Sequence, residues 1–205
     1  MNQKPLLIAL DLEGVLVPEV WIAVAEATGV DQLRLTTRDI PDYDELMRGR
    51  LNLLDKHGLS IEDIQKVISR LHPLPGAYEF LTELRRRAEV IILSDTFYEF
   101  ASPLMAQLDW PTLFCNSLEI DAEGRITHYR LRQKDGKRQA VKALKSLNFE
   151  VVAVGDSYND AAMLGEADLG ILFRPSQKVI DNFPDFRIAE DYETLEQYID
   201  EYVNS

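Results

Sequence analysis

The stretch LIALDLEGVLVPE (residues 7–19) carries an apolar run onto two carboxylates, Asp11 and Glu13, one residue apart and followed by Gly14. An acid after a strand is ordinary turn chemistry when it stands alone. Two further runs end the same way: EVIILSD (89–95) stops at Ser94 and Asp95, and EVVAVGD (150–156) stops at Asp156, with Asp160 following in GDSYND. Acids gathered in one cleft repel each other unless a cation sits between them. Mg²⁺ suits such a cleft, because it takes oxygen ligands from one or two carboxylates and completes its shell with water and substrate phosphate. Asp11, Asp156 and a main-chain carbonyl at Glu13 are the candidate metal ligands. Ser94 offers a hydroxyl, and the amides of Asp95, Thr96 and Phe97 at an expected helix start offer a phosphate cradle. In RQKDGKRQAV, Lys134 and Lys137 come to another helix start, where a cation opposes the helix dipole and is better explained by an anion nearby. An acid nucleophile, a metal site, a hydroxyl and a lysine around one phosphate are the parts of phosphoryl transfer. Asp11, ionised at neutral pH with an ordinary pKa near 3.9, is the expected nucleophile. Glu13 would protonate the departing alkoxide and then deprotonate water, a task suited to a pKa raised by desolvation toward roughly 6–7.

These groups need a frame that brings strand ends together. LLIALD, EVIILSD, EVVAVGD and GILF (170–173) are short aliphatic runs separated by helix-period segments. That pattern predicts an α/β fold with parallel strands buried on both faces. In such sheets ligands collect at the carboxyl ends of the strands. Helices are expected over GAYEFLTELRRR (76–87), FYEFASPLMAQL (97–108), KRQAVKALKSL (137–147) and YETLEQYIDEYV (192–203), with Pro103 delaying or kinking the second. NSLEIDAEGRITHYRLR (116–132) reads as a hairpin appended to the sheet. The residues between the first two strands are far more than a crossover needs, and helical from about Val17 to Leu74. Gly29, Asp42, Gly58 and the Ser60/Asp63 pair mark helix ends. The expected organisation is a core of residues 1–16 and 75–205 with a helical cap at 17–74, a lid over the acidic strand ends.

Composition sets the outer limits. A chain of 205 residues with 46% hydrophobic and 28% charged content supports one sizeable core with a small insert. A formal charge of −13 disfavours nucleic acid and anionic membranes as partners and leaves room for a small anion in a locally basic pocket. The N-terminal MNQKPLLIALDLEG runs from apolar residues straight into acids, unlike a secretory signal. No apolar segment reaches the roughly 20 residues of a membrane span. With Cys115 as the single cysteine, no internal disulfide is open to the chain, and a reducing cytoplasm is the expected location. His57, His72 and His128 form no local metal motif.

The segments DLEGVL, LSDTF, the lysine of KDGKR and GDSYND resemble, in order, the four motifs of the haloacid dehalogenase superfamily. Within it the chain is similar to phosphoserine phosphatases, and the phrases DLEGVLVPE, TTRDIPDYD, SDTFYEF and LRQKD are most similar to the ThrH type, bifunctional in phosphoserine hydrolysis and phosphotransfer to homoserine. The resemblance implies a Rossmann-like sheet with a C1 cap, Mg²⁺ as cofactor, Asp11 as phosphorylated nucleophile and Glu13 as acid/base. It further implies Ser94, Asp95 and Lys137 at the phosphate, Asp156 on the metal, Asp160 orienting the others and Asn159 at the substrate. Glu19 would face the substrate ammonium, and Arg50 its carboxylate through a bidentate fork. Arg48 is the alternative to Arg50, and Lys134 to Lys137. The expected partners are phosphoserine and homoserine, with no nucleic acid and no membrane; a homodimer is one assembly open to the chain.

Two residues depart from that family's pattern. Glu13 stands where most phosphoserine phosphatases have Asp, followed by Gly14-Val15 in place of Ser-Thr, and Asp95 replaces a glycine. The longer arm of Glu13 shifts the proton-transfer oxygen by about one carbon–carbon bond, and displacements near 1 Å can change a positioned reaction ~100-fold. Two other readings compete: a phosphatase for another small phosphomonoester, and a receiver-like phospho-switch, which would lack so large an insert. A dinucleotide-binding domain is disfavoured because no G-x-G-x-x-G follows the first strand.

Overall fold

The computed structural model describes residues 4–36, 39–40 and 42–204. Within TTRDIPDYD, Thr37, Arg38 and Pro41 therefore lie outside the described residues. The chain opens with β1 (Leu6–Leu10), then α1 (Val20–Thr28), α2 (Tyr43–Lys56), α3 (Ile61–Ile68) and α4 (Ala77–Arg87). Next come β2 (Glu89–Phe97), α5 (Tyr98–Gln107), the pair β3 (Thr112–Ile120) and β4 (Ile126–Arg130), and α6 (Gly136–Ser146). It closes with β5 (Glu150–Gly155), α7 (Ala161–Glu166), β6 (Leu169–Phe173), α8 (Gln177–Asn182), β7 (Arg187–Ala189) and α9 (Tyr192–Val203).

The strands form one sheet in the order β4-β3-β2-β1-β5-β6-β7, parallel except for the β3–β4 pair. Alternation along the buried strands explains why it is covered on both faces. Ile8, Leu10, Ile92, Val152, Val154, Ile171 and Phe173 enter one apolar cluster. Leu7, Ala9, Ile91, Leu93, Val151, Ala153 and Leu172 enter another on the opposite face, closed by Val141, Met163, Leu164 and Val179 from α6, α7 and α8. The chain builds outward from β1 through β2 to β4, then crosses back to β5 on the other side of β1. That reversal opens a crevice at the carboxyl ends of β1 and β5, where open α/β sheets bind their ligands.

Helices α1 to α3 form the long segment between β1 and β2. Gly29 ends α1 at φ 70, Asp42 caps α2 by accepting the Glu45 N–H at 2.9 Å, and Ser60 with Asp63 forms a capping box on α3. The hairpin pins this segment to the sheet. At its tip the Gly124 carbonyl accepts the Ile61 N–H at 2.9 Å, and on its second strand the Tyr129 hydroxyl donates to Asp44 of α2. The hairpin is therefore more than an appendage: β3 pairs in parallel with β2 before turning antiparallel with β4.

Pro103 does not delay α5, which begins at Tyr98 and carries the proline inside. Proline cannot donate to the carbonyl four residues back. That carbonyl, on Glu99, instead accepts the side-chain amide of Gln65 from α3 at 2.8 Å, so the missing helix bond becomes a contact to the inserted segment.

Candidate active site

The crevice between β1 and β5 gathers the strand-end groups. Asp11 follows β1, with its N–H on the Val154 carbonyl at 2.9 Å and its Oδ1 accepting the Leu12 N–H at 2.7 Å. Lys137, in the first turn of α6 and 8% exposed at its side chain, donates to Asp11 Oδ1 at 2.8 Å and Asp160 Oδ1 at 2.7 Å, with Asp95 Oδ2 3.9 Å away. Burial alone would lower the lysine pKa, but these carboxylates hold it well above its ordinary value, so Lys137 stays cationic. Lys134 is exposed on the neighbouring loop.

Asp160, fully buried, spends both oxygens inside the protein: Oδ1 on Lys137, and Oδ2 on the N–H groups of Asp156 and Ser157 at 3.0 and 3.1 Å. It orients the loop after β5 rather than facing the cleft. Asp11, Asp156 and Asp160 offer oxygens within 4.8 Å of one another. Three carboxylates against one lysine leave an excess of two negative charges, which suits a divalent cation with oxygen preference. Burial and the neighbouring acids push Asp11 well above the carboxylate range and Asp156 up to about 7, repulsion that a cation between them would relieve. Because Asp160 is committed, Asp11 and Asp156 are the side chains free to coordinate. Two glycines make room: a Cβ on Gly14 would lie 2.5 Å from Asp156 Cγ, and one on Gly155 would lie 2.3 Å from Asp160 Cγ.

Glu13 lines the same cleft. Its Oε2 accepts the Val20 N–H, the first residue of α1, at 2.9 Å, and the Thr96 side chain also hydrogen-bonds it. Burial, then the adjacent Glu19, raises its carboxyl to about 7. Ser94 and Thr96 are buried at the end of β2, where the pairing with β3 shifts register between Leu93 and Phe97. This corrects the expected helix start at these amides: residues 94–97 are extended, and α5 starts only at Tyr98. The bulged segment instead turns its Asp95 carbonyl to Asn116 Nδ2 at 3.0 Å and the Tyr43 hydroxyl at 3.4 Å.

A cleft of about 200 Å³ is lined by Asp11, Glu13, Ser94, Asp95, Lys137 and Asp156, by Glu19 just before α1, by Arg50 of α2 and by Asn159. Arg48 is exposed and paired with Asp44 at 2.6 Å, whereas Arg50 is buried. The Arg50 Nη2 donates to the Leu35 carbonyl at 2.7 Å, and its Nε has no hydrogen-bond partner among the described residues. Burial lowers the guanidinium to about 10.

Residues 6–168 match the family described as haloacid dehalogenase-like hydrolase. The chain belongs to this family. It is 61% identical to the phosphoserine phosphatase ThrH of Pseudomonas aeruginosa over 92% of each chain, and 29% identical to a phosphoserine phosphatase of Methanocaldococcus jannaschii over 84% of this chain and 87% of the other. A solved structure described as a phospho-aspartyl intermediate analogue of phosphoserine phosphatase superposes with a TM-score of 0.79 at 26% identity, covering 96% of this chain and 99% of that one. In this haloacid dehalogenase-like hydrolase the four motif segments converge on one cleft. Among the described residues no helix is long and apolar enough to cross a membrane.

Sequence reasoning about this haloacid dehalogenase-like hydrolase did not assign Trp21, Tyr43, Leu46 or the Thr96 side chain, all of which line the cleft. Helical spacing could have found two of them: Tyr43, Leu46 and Arg50 recur at i, i+3 and i+7 on one face of α2. Gly14→Ala tests the tight seat of Asp156. At φ 79 an alanine is expected to cost about 1–3 kcal/mol of stability. Displacing Asp156 by around 1 Å should lower hydrolase turnover ~100-fold. Thermal melting and phosphate release measure the two effects.

Proposed function

We propose that this chain hydrolyses L-phosphoserine through an aspartyl phosphate on Asp11, and passes the same phosphoryl group to homoserine when that alcohol is present. The observation that carries the substrate is Arg50: a buried guanidinium whose Nε has no hydrogen-bond partner among the described residues lines the same cleft as Asp11, Ser94 and Lys137. A desolvated guanidinium with no carboxylate partner among the described residues is costly in the free protein and suits a ligand carboxylate. Glu19, which lines the same cleft, would meet an ammonium. A molecule with phosphate at one end and an amino acid head at the other satisfies both sets of groups. The relatives named as phosphoserine phosphatases support the same choice.

Asp11, held by Lys137 and the Leu12 N–H, attacks phosphorus as the bond to the serine oxygen breaks. Ser94 and Lys137 hold the phosphoryl oxygens. Glu13 gives its proton to the departing alkoxide, then takes one from water or from the homoserine hydroxyl as that oxygen attacks phosphorus and Asp11 is released. Asp11, Asp156 and the main-chain carbonyl at Glu13 would hold Mg²⁺, which when bound offsets the charge of the phosphate beside these acids. Helices α1 and α2 serve as the cap that shields the aspartyl phosphate from bulk water.

Incubation with phosphoserine and Mg²⁺ is expected to release orthophosphate, to stop with a chelator and to resume on Mg²⁺ addition. Adding homoserine should divert part of the flux to phosphohomoserine. If neither product forms, the substrate assignment fails and the family assignment stands.

A further inference from the structure

Arg50 has no carboxylate within ion-pair distance among the described residues, yet it is buried. Its guanidinium instead lies over the indole of Trp21, 4.5 Å from the ring centroid. The choice of partner matters chemically. A resident carboxylate would stabilise the charge by occupying the N–H edges that a ligand carboxylate needs. An aromatic face stabilises it from one side without taking an N–H group; Nη2 donates to the Leu35 carbonyl at 2.7 Å and Nη1 to Met47 Sδ at 3.7 Å, and Nε is the N–H without a partner among the described residues.

Trp21 is itself fixed. Its ring meets Phe100 edge-on at 5.3 Å, and Phe100, wholly buried in α5, meets Phe97 edge-on at 5.6 Å. Phe97 ends the strand that carries Ser94. A continuous file of rings therefore joins the guanidinium on α2 to the strand at the phosphate end of the cleft. We propose that Trp21 is a positioning residue for the carboxylate end of the substrate: its indole supports Arg50 and, through Phe100 and Phe97, sets the distance between the carboxylate and phosphate subsites. The proposal rests on Arg50 as the carboxylate clamp.

Kinetics with phosphoserine and with acetyl phosphate, which has no carboxylate, separate this from a packing role. Trp21→Leu is expected to raise the phosphoserine KM about tenfold, as loss of a desolvated cation–π contact implies, with kcat and acetyl phosphate hydrolysis little changed. Trp21→Phe should recover part of the loss, and Arg50→Met should show the same selectivity as Trp21→Leu. Equal losses on both substrates for Trp21→Leu, or none, alongside a selective Arg50→Met, overturn the proposal and leave the clamp standing. A non-selective Arg50→Met removes the clamp and the proposal together. A second measurement does not need a Trp21 variant: Trp21 and Trp110 are the two tryptophans, and Trp110 is exposed outside the cleft. In a Trp110→Phe protein, L-serine should change the Trp21 emission saturably; an unchanged emission at saturating L-serine overturns the proposal.

Discussion

Asp11→Asn is expected to lower phosphoserine turnover by at least about 10⁴-fold, because a nucleophile that acts as part of a unit takes most of the rate with it when it is removed. The amide is nearly the same shape, and its oxygen can still accept the Leu12 N–H now on Asp11 Oδ1. It cannot form the acyl phosphate. Acid-quenched incubations with ³²P-phosphoserine should therefore label the native chain and leave the variant unlabelled. Stability should move the other way. Burial and the adjacent Asp160 disfavour the charged form of Asp11, so a neutral side chain relieves repulsion. Lys137 keeps Asp160 at 2.7 Å. Without divalent cation, the melting midpoint is expected to be unchanged or higher. More than about 1% residual turnover, far above the remainder a ~10⁴-fold loss leaves, would remove Asp11 from the nucleophile's role.

The groups legible in the sequence were those fixed by strand ends and helix starts. Asp11 and Asp156 were found because β1 and β5 are neighbours in the parallel sheet and each stops one residue before its acid. The choice of Lys137 over Lys134 came from the resemblance to the family's lysine motif, and Lys137 is the one of the two paired with the acid cluster. What escaped depends on contacts that no local period encodes. Nothing in FYEFASPLMAQL says that the Glu99 carbonyl released by Pro103 will take Gln65 from a helix far back in the chain. The extended, bulged backbone at 94–97 follows from pairing with β3, and local propensity alone favours the earlier helix start. Trp21 reads as one more apolar residue of an amphipathic helix until Arg50 is placed over it. The strand β7, three residues long, is too short for any periodicity to reveal.

Glu13→Asp is the substitution expected to separate water from alcohol as acceptor. The Val20 N–H that Glu13 Oε2 accepts at 2.9 Å is one of the unsatisfied donors at the start of α1, whose N-cap residue, Glu19, makes no side-chain cap bond. Glu13 therefore caps α1 from seven residues upstream, which ties the proton-transfer group to the inserted helices. The Thr96 side chain holds the same carboxylate from the end of β2. An aspartate is shorter by about one carbon–carbon bond and cannot keep the Val20 N–H while presenting its other oxygen at the same place; losing the cap should cost about 1 kcal/mol. Released from α1, the shorter acid would sit about 1 Å from the position used by the native chain, enough to change proton transfer ~100-fold. If the longer arm slows hydrolysis of the aspartyl phosphate so that homoserine can compete, Glu13→Asp should shift the products toward orthophosphate and away from phosphohomoserine at fixed homoserine. A slower enzyme with the same product ratio would show that the extra methylene sets the rate and leaves the choice of acceptor to other residues of the cleft.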